Sequence, residues 1–420
     1  LRMEADVPLG AFLSGGVDSS IIVALMQAQS AQPVRTFSIG FHEVAYNEAE
    51  YAKAVATHLG TAHTELYVTP EEAMAVIPRT PKLYDEPFAD PSQIPTFLVS
   101  QLARRDVTVS LSGDAGDELF AGYTTYFWGL RIWKHIGWMP RSLRALSAGG
   151  LTMLSPSSWE SLFRMIEPIF PKHLRQRNLG LKLRVLADIL PAESAEALYR
   201  AILSHWDAPG SLVIGASEPP TQLTDRTQWG NLPDLLRRMM YTDAMMYLPD
   251  DILVKVDRAS MGVSLEARVP LLDHRVVEFA WQLPVSMKIR DGRGKWILRQ
   301  LLSRYIPPAL FDRPKMGFGV PIGAWLRGPL KEWGEALLDE KRLKDQGLLN
   351  PDLIRGKWGE HLSGTVNGAT PLWDALMFQA WLEHEQQTTL EETQKIAARQ
   401  VRLNGNRQGL GCRVNHGLYE

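Results

Sequence analysis

The chain has one cysteine, Cys412, in 420 residues. That excludes a disulfide framework and any zinc site built from several cysteines, and it fits a reducing, cytoplasmic setting. No apolar run approaches the roughly 20 residues that span a bilayer, and no signal peptide is visible at the start, so no membrane partner is expected. The formal net charge is only −2, which leaves no global field to recruit nucleic acid. The histidines, His42, His58, His63 and His274 among them, form no His-x-x-x-His pair and take structural or surface roles. Position 1 is not methionine and a core strand begins within a few residues, so the chain reads as a piece of a longer protein. What is present is ordinary: 45% hydrophobic and 22% charged residues, a globular composition. The length suits two domains, or one large domain with a helical extension.

Leu9–Phe12 is an apolar run, Ser14-Gly15-Gly16 a turn, and Asp18, Ser19 and Ser20 open an apolar helix. A strand, a tight glycine loop and a helix N-terminus together aim backbone N–H groups and the positive end of a helix dipole at one point, where a phosphate can sit. No Gly-Lys-Ser/Thr closes the loop, so it is not a Walker A motif. With Asp18 in place of a lysine, it suits a metal-bridged pyrophosphate.

Strand signals follow at 34–41, 64–68 and 107–111, alternating with helices expected after Asn47 and from Pro95 to Arg105. This βαβα order predicts an α/β fold with a doubly wound parallel sheet. Ligands bind such sheets beyond the carboxyl ends of the strands, where Ser14–Gly16, Gly40-Phe41 and Ser112–Asp114 all fall. An aromatic helical stretch (Tyr123, Tyr126, Phe127, Trp128, Trp133, Trp138) reads as core packing, 207–233 as a loop, and 235–385 as mainly helical. The basic stretch 386–420 is expected to be a disordered tail.

The second motif, Ser112 to Tyr123, again follows a strand and enters a helix, and it carries Asp114, Asp117 and Glu118. Alone, such an acidic turn is as readily a solvated helix start as a metal site. With Asp18 on a neighbouring strand end, it becomes a hard-cation site: Asp18 and Asp117 can share Mg²⁺ with phosphate oxygens. The two motifs, about a hundred residues apart, resemble the ATP-pyrophosphatase (PP-loop) signature of glutamine-hydrolysing asparagine synthetases. So do Lys255–Met261 with Leu265–Asp273, Gly294–Arg299 and Arg313–Pro321, in family order.

The resemblance implies an adenine nucleotide alpha hydrolase-like core over 1–122 and a mainly helical part over 123–385. It implies an amide ligase that uses ATP and Mg²⁺ to adenylate the side chain of aspartate, then transfers ammonia to give asparagine, AMP and pyrophosphate. The same chemistry on another carboxylate, as in β-lactam-forming relatives, is the alternative. ATP contacts fall to Leu13, Ser14, Gly15, Gly16, Asp18, Ser19, Ser20, Ile39, Ser112 and Gly113. Asp114 stands where some relatives carry a glutamate base, and Lys295 matches a lysine that stabilises developing charge. Lys255, Asp257, Arg258, Arg268, Arg313 and Lys315 form a charge group for pyrophosphate. The loop Asp85–Ser92 lies near the acceptor or is a proline-rich turn. Glutamine-dependent members carry their catalytic cysteine on an N-terminal glutaminase domain, and no cysteine precedes position 412. This chain is therefore expected to use free ammonia, with glutamine-derived ammonia coming from an upstream glutaminase domain. A homodimer is compatible with the family.

Overall fold

The computed structural model describes residues 2–41, 47–166, 179–206, 208–229, 232–313 and 317–411. Five strands form one parallel sheet: β1 (Leu9–Phe12), β2 (Arg35–Phe41), β3 (Ala62–Val68), β4 (Val109–Leu111) and β5 (Glu266–Arg268), in the order β3-β2-β1-β4-β5. The chain winds outward from β1 to β3, then returns to place β4 on the other side of β1, in register from Leu9 opposite Val109 to Ala11 opposite Leu111. The order reverses between β1 and β4, so the two motif loops leave adjacent strand ends at a topological switch point.

The helices cover both faces. On one, α1 (Val17–Ala28) and α2 (Ala49–Leu59) bury Ile21, Val23, Val55 and Ala56 with Ala11 and Leu111 of the sheet. On the other, α3 (Gln93–Arg104) buries Ile94, Phe97 and Leu102 against Phe37 and Ile39. Near-continuous apolar strands are what a sheet covered on both faces requires. Asn47 does serve the start of α2, its Oδ1 accepting from the Ala49 N–H at 3.1 Å, and Gly60 closes that helix with φ +70°.

The helical half is built into the same layers. β5 pairs with β4, a strand that sequence reading missed: three residues, two of them charged, carry no alternation signal. It is reached through α4 (Leu235–Thr242), a π-helix at Asp243–Leu253 and α5 (Val254–Met261). α6 (Trp296–Leu302) packs Leu298 and Leu302 into the cluster formed by α1. The C-terminal helices bring Trp325, Trp358 and Trp373 against the face covered by α3.

Two expectations differ from the structure. The last helix, α7, spans Ala369–Gly411, so the stretch expected to be disordered from 386 is helical through Gly411. Residues 386–404 contain no Gly or Pro, and Lys395 pairs with Glu391 one turn back, which favours helix even on an exposed segment. Cys412 and the rest of the tail lie outside the described residues. The aromatic stretch is not uniformly core: Tyr126 is fully buried, but Trp128 and Trp138 are 62% and 78% exposed. No helix among the described residues is long and apolar enough to cross a membrane.

Candidate active site

A crevice of about 570 Å³ opens beyond the carboxyl ends of β1, β2 and β4. The first loop reaches it with Leu13, Ser14, Gly16, Asp18 and Ser19. The loop is stitched by its own serines: Ser14 Oγ and Ser19 Oγ lie 3.0 Å apart, and the Gly16 N–H donates to Ser14 Oγ at 3.3 Å. Gly15 turns the chain at φ +72°, and a Cβ there would meet the Tyr51 carbonyl carbon at 2.7 Å; only glycine fits both demands. No side chain caps α1, and such a helix start suits an anion. Gly15 and the fully buried Ser20 shape the loop without lining the crevice.

The second loop brings Ser112, Gly113, Asp114, Asp117 and Glu118 to the opposite side, and Ile39 with Phe37 forms an apolar end with Leu13. Between the loops sits Lys295. Its ammonium binds Asp18, and it stands 2.8 Å from Asp117 Oδ1. The geometry is forced by the backbone. Lys295 has φ +58° at the N-terminus of α6, and its N–H donates to the Phe120 carbonyl at 2.9 Å. Left-handed backbone at a non-glycine residue costs about 1 kcal/mol or more and persists where surrounding contacts over-determine it. Gly122 lies directly beside the lysine, and a Cβ there would collide with Lys295 Cε. Burial opposes the Lys295 charge, yet Asp117 and Asp18 overcome it and hold the ammonium more basic than an ordinary lysine.

Two hard-oxygen carboxylates facing one cation fit the donor set that Mg²⁺ takes together with substrate phosphates. Among the described residues no group of three or more metal-ligating side chains forms.

A second cluster closes the far side. Lys255 donates to Asp90 Oδ2 at 2.7 Å, and Asp90 also accepts from the Ser92 N–H at 2.8 Å and its hydroxyl at 2.6 Å. Burial works against the Asp90 charge, but Lys255 and these bonds hold its carboxyl below the usual range. Asp251, on the π-helix behind it, is pushed up to about 7 by burial and by the Asp90 charge. Burial raises Asp114 and takes Glu118 to about 7, the latter accepting from Tyr123 Oη at 2.5 Å. The loop Asp85–Ser92 thus splits: Asp90, Pro91 and Ser92 line the crevice, whereas Asp85 is exposed and paired with Arg258.

Of the expected charge group, Lys255 and Arg313 reach the crevice. Arg313 donates to the Ser14 carbonyl at 3.1 Å, stands 3.3 Å from Glu48 and lies over the Tyr51 ring at 4.1 Å. Its Nε is buried with no hydrogen-bond partner among the described residues, a donor suited to an incoming anion. Asp257 is exposed, Arg258 faces Asp85, and Arg268 binds Glu266 and the carbonyls of Arg2 and Glu4. Those three are not crevice residues; on the one-turn helix face of α5, Lys255 points inward and Asp257 outward. Lys315 lies outside the described residues. Sequence reasoning missed Glu48, Tyr247 and Arg299 as crevice residues; the Leu298-Arg299 pair at the start of α6 was the only available signal for the last.

The asparagine synthase family model matches residues 1–383. An asparagine synthetase [glutamine-hydrolyzing] of Bacillus subtilis is 30% identical over 388 residues, 91% of this chain and 57% of that protein. A putative asparagine synthetase of Mycobacterium bovis is 33% identical over 406 residues, 94% of this chain and 58% of that one. A more distant relative, an amidase of Penicillium rubens, is 22% identical over 397 residues, 83% of this chain and 55% of its own length. The chain spans somewhat over half the length of these relatives.

Proposed function

This chain belongs to the asparagine synthase family, and we propose that it is the ATP-dependent amide-forming half of an asparagine synthetase. In this reading ATP lies along the crevice, its base against Leu13 and Ile39 and its phosphates toward the first loop, Lys295 and Arg313. The carboxylate of aspartate displaces pyrophosphate from the α-phosphorus, forming an aspartyl-adenylate. Ammonia then attacks the acyl carbon, AMP leaves with the bonding electron pair, and asparagine results. Asp18 and Asp117 would hold Mg²⁺, which supplies charge neutralisation on the leaving pyrophosphate.

The observation that carries the reading is the fixed ammonium of Lys295 between Asp18 and Asp117 at the switch point. Preorganised positive charge and N–H donors there meet the charge that develops as the α–β phosphate bond breaks. Asp114, on the second loop, would take a proton from the attacking nitrogen, and burial, which raises its affinity for protons, suits that role. In the full-length protein the ammonia comes from glutamine on a glutaminase domain; the site acts in the cytoplasm.

The acceptor is the open element of this reading, because a relative at 22% identity carries the name amidase rather than asparagine synthetase. A panel of carboxylates with free ammonia, scored by AMP formation and by ATP–pyrophosphate exchange, decides it. Exchange stimulated by aspartate above all others supports asparagine synthesis; exchange stimulated by a different acid replaces aspartate as acceptor and leaves the ligase chemistry standing.

A further inference from the structure

The peptide between Gly294 and Lys295 is clamped from both sides. The Lys295 N–H donates to the Phe120 carbonyl at 2.9 Å, and the Gly294 carbonyl, the other polar group of the same peptide, accepts from Arg299 Nε at 3.0 Å. The Arg299 guanidinium is oriented in turn by Asp312, whose Oδ1 lies 3.2 Å from Nη1. The second oxygen of Asp312 accepts from Arg293 Nη1 at 2.5 Å. Arg293 closes a tight turn in which Asp291 and Gly292 have φ +54° and +72°, and the Arg290 and Arg293 backbones exchange both hydrogen bonds. Positive φ at both central residues is the type I′ geometry, which fixes the direction of the chain that leaves it. Asp312 therefore holds an arginine on either side of the Gly294–Lys295 step, and the residue after it is Arg313, a second cation of the crevice. Stability alone asks little of this arrangement. The Asp312 and Arg293 side chains are 36% and 62% exposed, and exposed ion pairs contribute little to folding. A left-handed lysine, by contrast, persists where contacts over-determine it, and its ammonium is useful only if held where charge develops.

We propose that Asp312 is a positioning residue for adenylation: through Arg299 it fixes the backbone that aims Lys295, and through its chain neighbour it fixes the spacing from Lys295 to Arg313. The two cations then meet one polyphosphate as a preset pair. The proposal rests on the amide-ligase reading and goes beyond it, because it assigns control of that spacing to a carboxylate that does not itself line the crevice. Released from Asp312, the Arg299 guanidinium keeps its charge but loses the orientation that presents Nε to the Gly294 carbonyl. Lys295 is then free to leave the left-handed region, and its ammonium moves with it. A displacement of about 1 Å at a reacting group can cost on the order of 100-fold in rate.

The test is ATP–pyrophosphate exchange by the full chain with Asp312→Ala, Asp312→Glu and Arg299→Lys. Asp312→Ala should lower kcat about 10- to 100-fold and leave the KM for the acceptor within about 2-fold, while the midpoint of thermal unfolding moves by less than about 3 °C. Asp312→Glu, which keeps the charge, should recover kcat to within about 5-fold of the unmodified chain. Arg299→Lys cannot serve Gly294 and Asp312 at once and should lose as much as Asp312→Ala; combining the two should cost less than about 3-fold more than either alone. A kcat for Asp312→Ala within about 2-fold of the unmodified chain overturns the proposal, as do effects of the two substitutions that multiply in full. A large loss of thermal stability with unchanged kcat per folded molecule also overturns it, since that is the mark of a structural staple. If Asp312→Ala does not fold, the isosteric Asp312→Asn is read by the same criteria. Absence of exchange in the unmodified chain would instead sink the ligase reading, and hydrogen exchange at the Lys295 amide would then decide the clamp by itself. Protection about 10-fold weaker in Asp312→Ala supports it, and equal protection overturns it.

Discussion

The two halves of the chain contribute opposite charges to the crevice. Among the described residues, every acid that lines it comes from the first 122: Asp18, Glu48, Asp90, Asp114, Asp117 and Glu118. Among the described residues, every lysine and arginine that lines it comes from the helical half: Lys255, Lys295, Arg299 and Arg313. The ion pairs cross between the halves, Lys295 to Asp18 and Asp117, Lys255 to Asp90, Arg313 to Glu48. A buried carboxylate without a partner is strongly destabilising, so neither half is an adequate site alone. The docking that completes the fold also neutralises the acids and leaves cations poised for phosphate.

Breaking the central pair should have the largest effect. Lys295→Met leaves Asp18 and Asp117 facing each other in a buried site. It should lower exchange at least ~1,000-fold and stability by about 3–5 kcal/mol, read from exchange rates and denaturant melts. A variant that keeps a tenth of the activity would show that the crossing pair is not central. Asp18→Asn keeps shape and removes one charge; exchange should fall ~100-fold or more while thermal unfolding stays cooperative. An unchanged rate refutes the metal role.

Arg313→Ala tests the outer crossing pair. Loss of its contacts to Ser14, Glu48 and Tyr51 should raise the KM for ATP about 10-fold with a smaller change in kcat.

Asp243 sharpens the contrast from outside the crevice. It is a buried acid that meets no cross-half cation among the described residues and is held instead by the hydroxyls of Tyr126 and Tyr199 at 2.7 Å each. Burial raises it to about 6 despite those bonds. A folded-state pKa above the unfolded value of 3.8 means that its contribution to stability is present below about pH 4 and is lost as pH rises through 6. Asp243→Asn should therefore stabilise the protein by roughly 2 kcal/mol at pH 8, and the difference should vanish near pH 4. A constant difference across that range would contradict the assignment. The smallest effect belongs to Arg258→Ala, which removes an exposed pair with Asp85. Kinetic constants should stay within about 2-fold and stability within about 0.5 kcal/mol, which separates true crevice cations from neighbours in the same motif.

Much of this was legible in residue order. Strands β1 to β4, the loop glycines, and the meeting of Asp18 with Asp117 follow from apolar runs, turn residues and the rule that strand ends converge. The charge group after residue 250 was legible only as a set. Consecutive helical residues face different ways, so Lys255 enters the crevice while Asp257 and Arg258 do not, and no count of charges reveals which. β5 was invisible because a three-residue edge strand with Glu266 and Arg268 owes its form to pairing with β4, not to its own propensity. The tail was misjudged in the other direction: its basic charge suggested disorder, but its local helix preference is uninterrupted through 404.

Local chemistry therefore determined the nucleotide loop and the acid-rich second loop, because each rests on residues close in the chain, and the order of apolar runs announced the alternating layers. Only the tertiary structure decided that Lys295 stands between Asp18 and Asp117, 277 residues from the former. That position depends on a left-handed backbone at Lys295, held by the Phe120 carbonyl. A lysine does not adopt that conformation by preference; the packing of the helical half against the sheet imposes it.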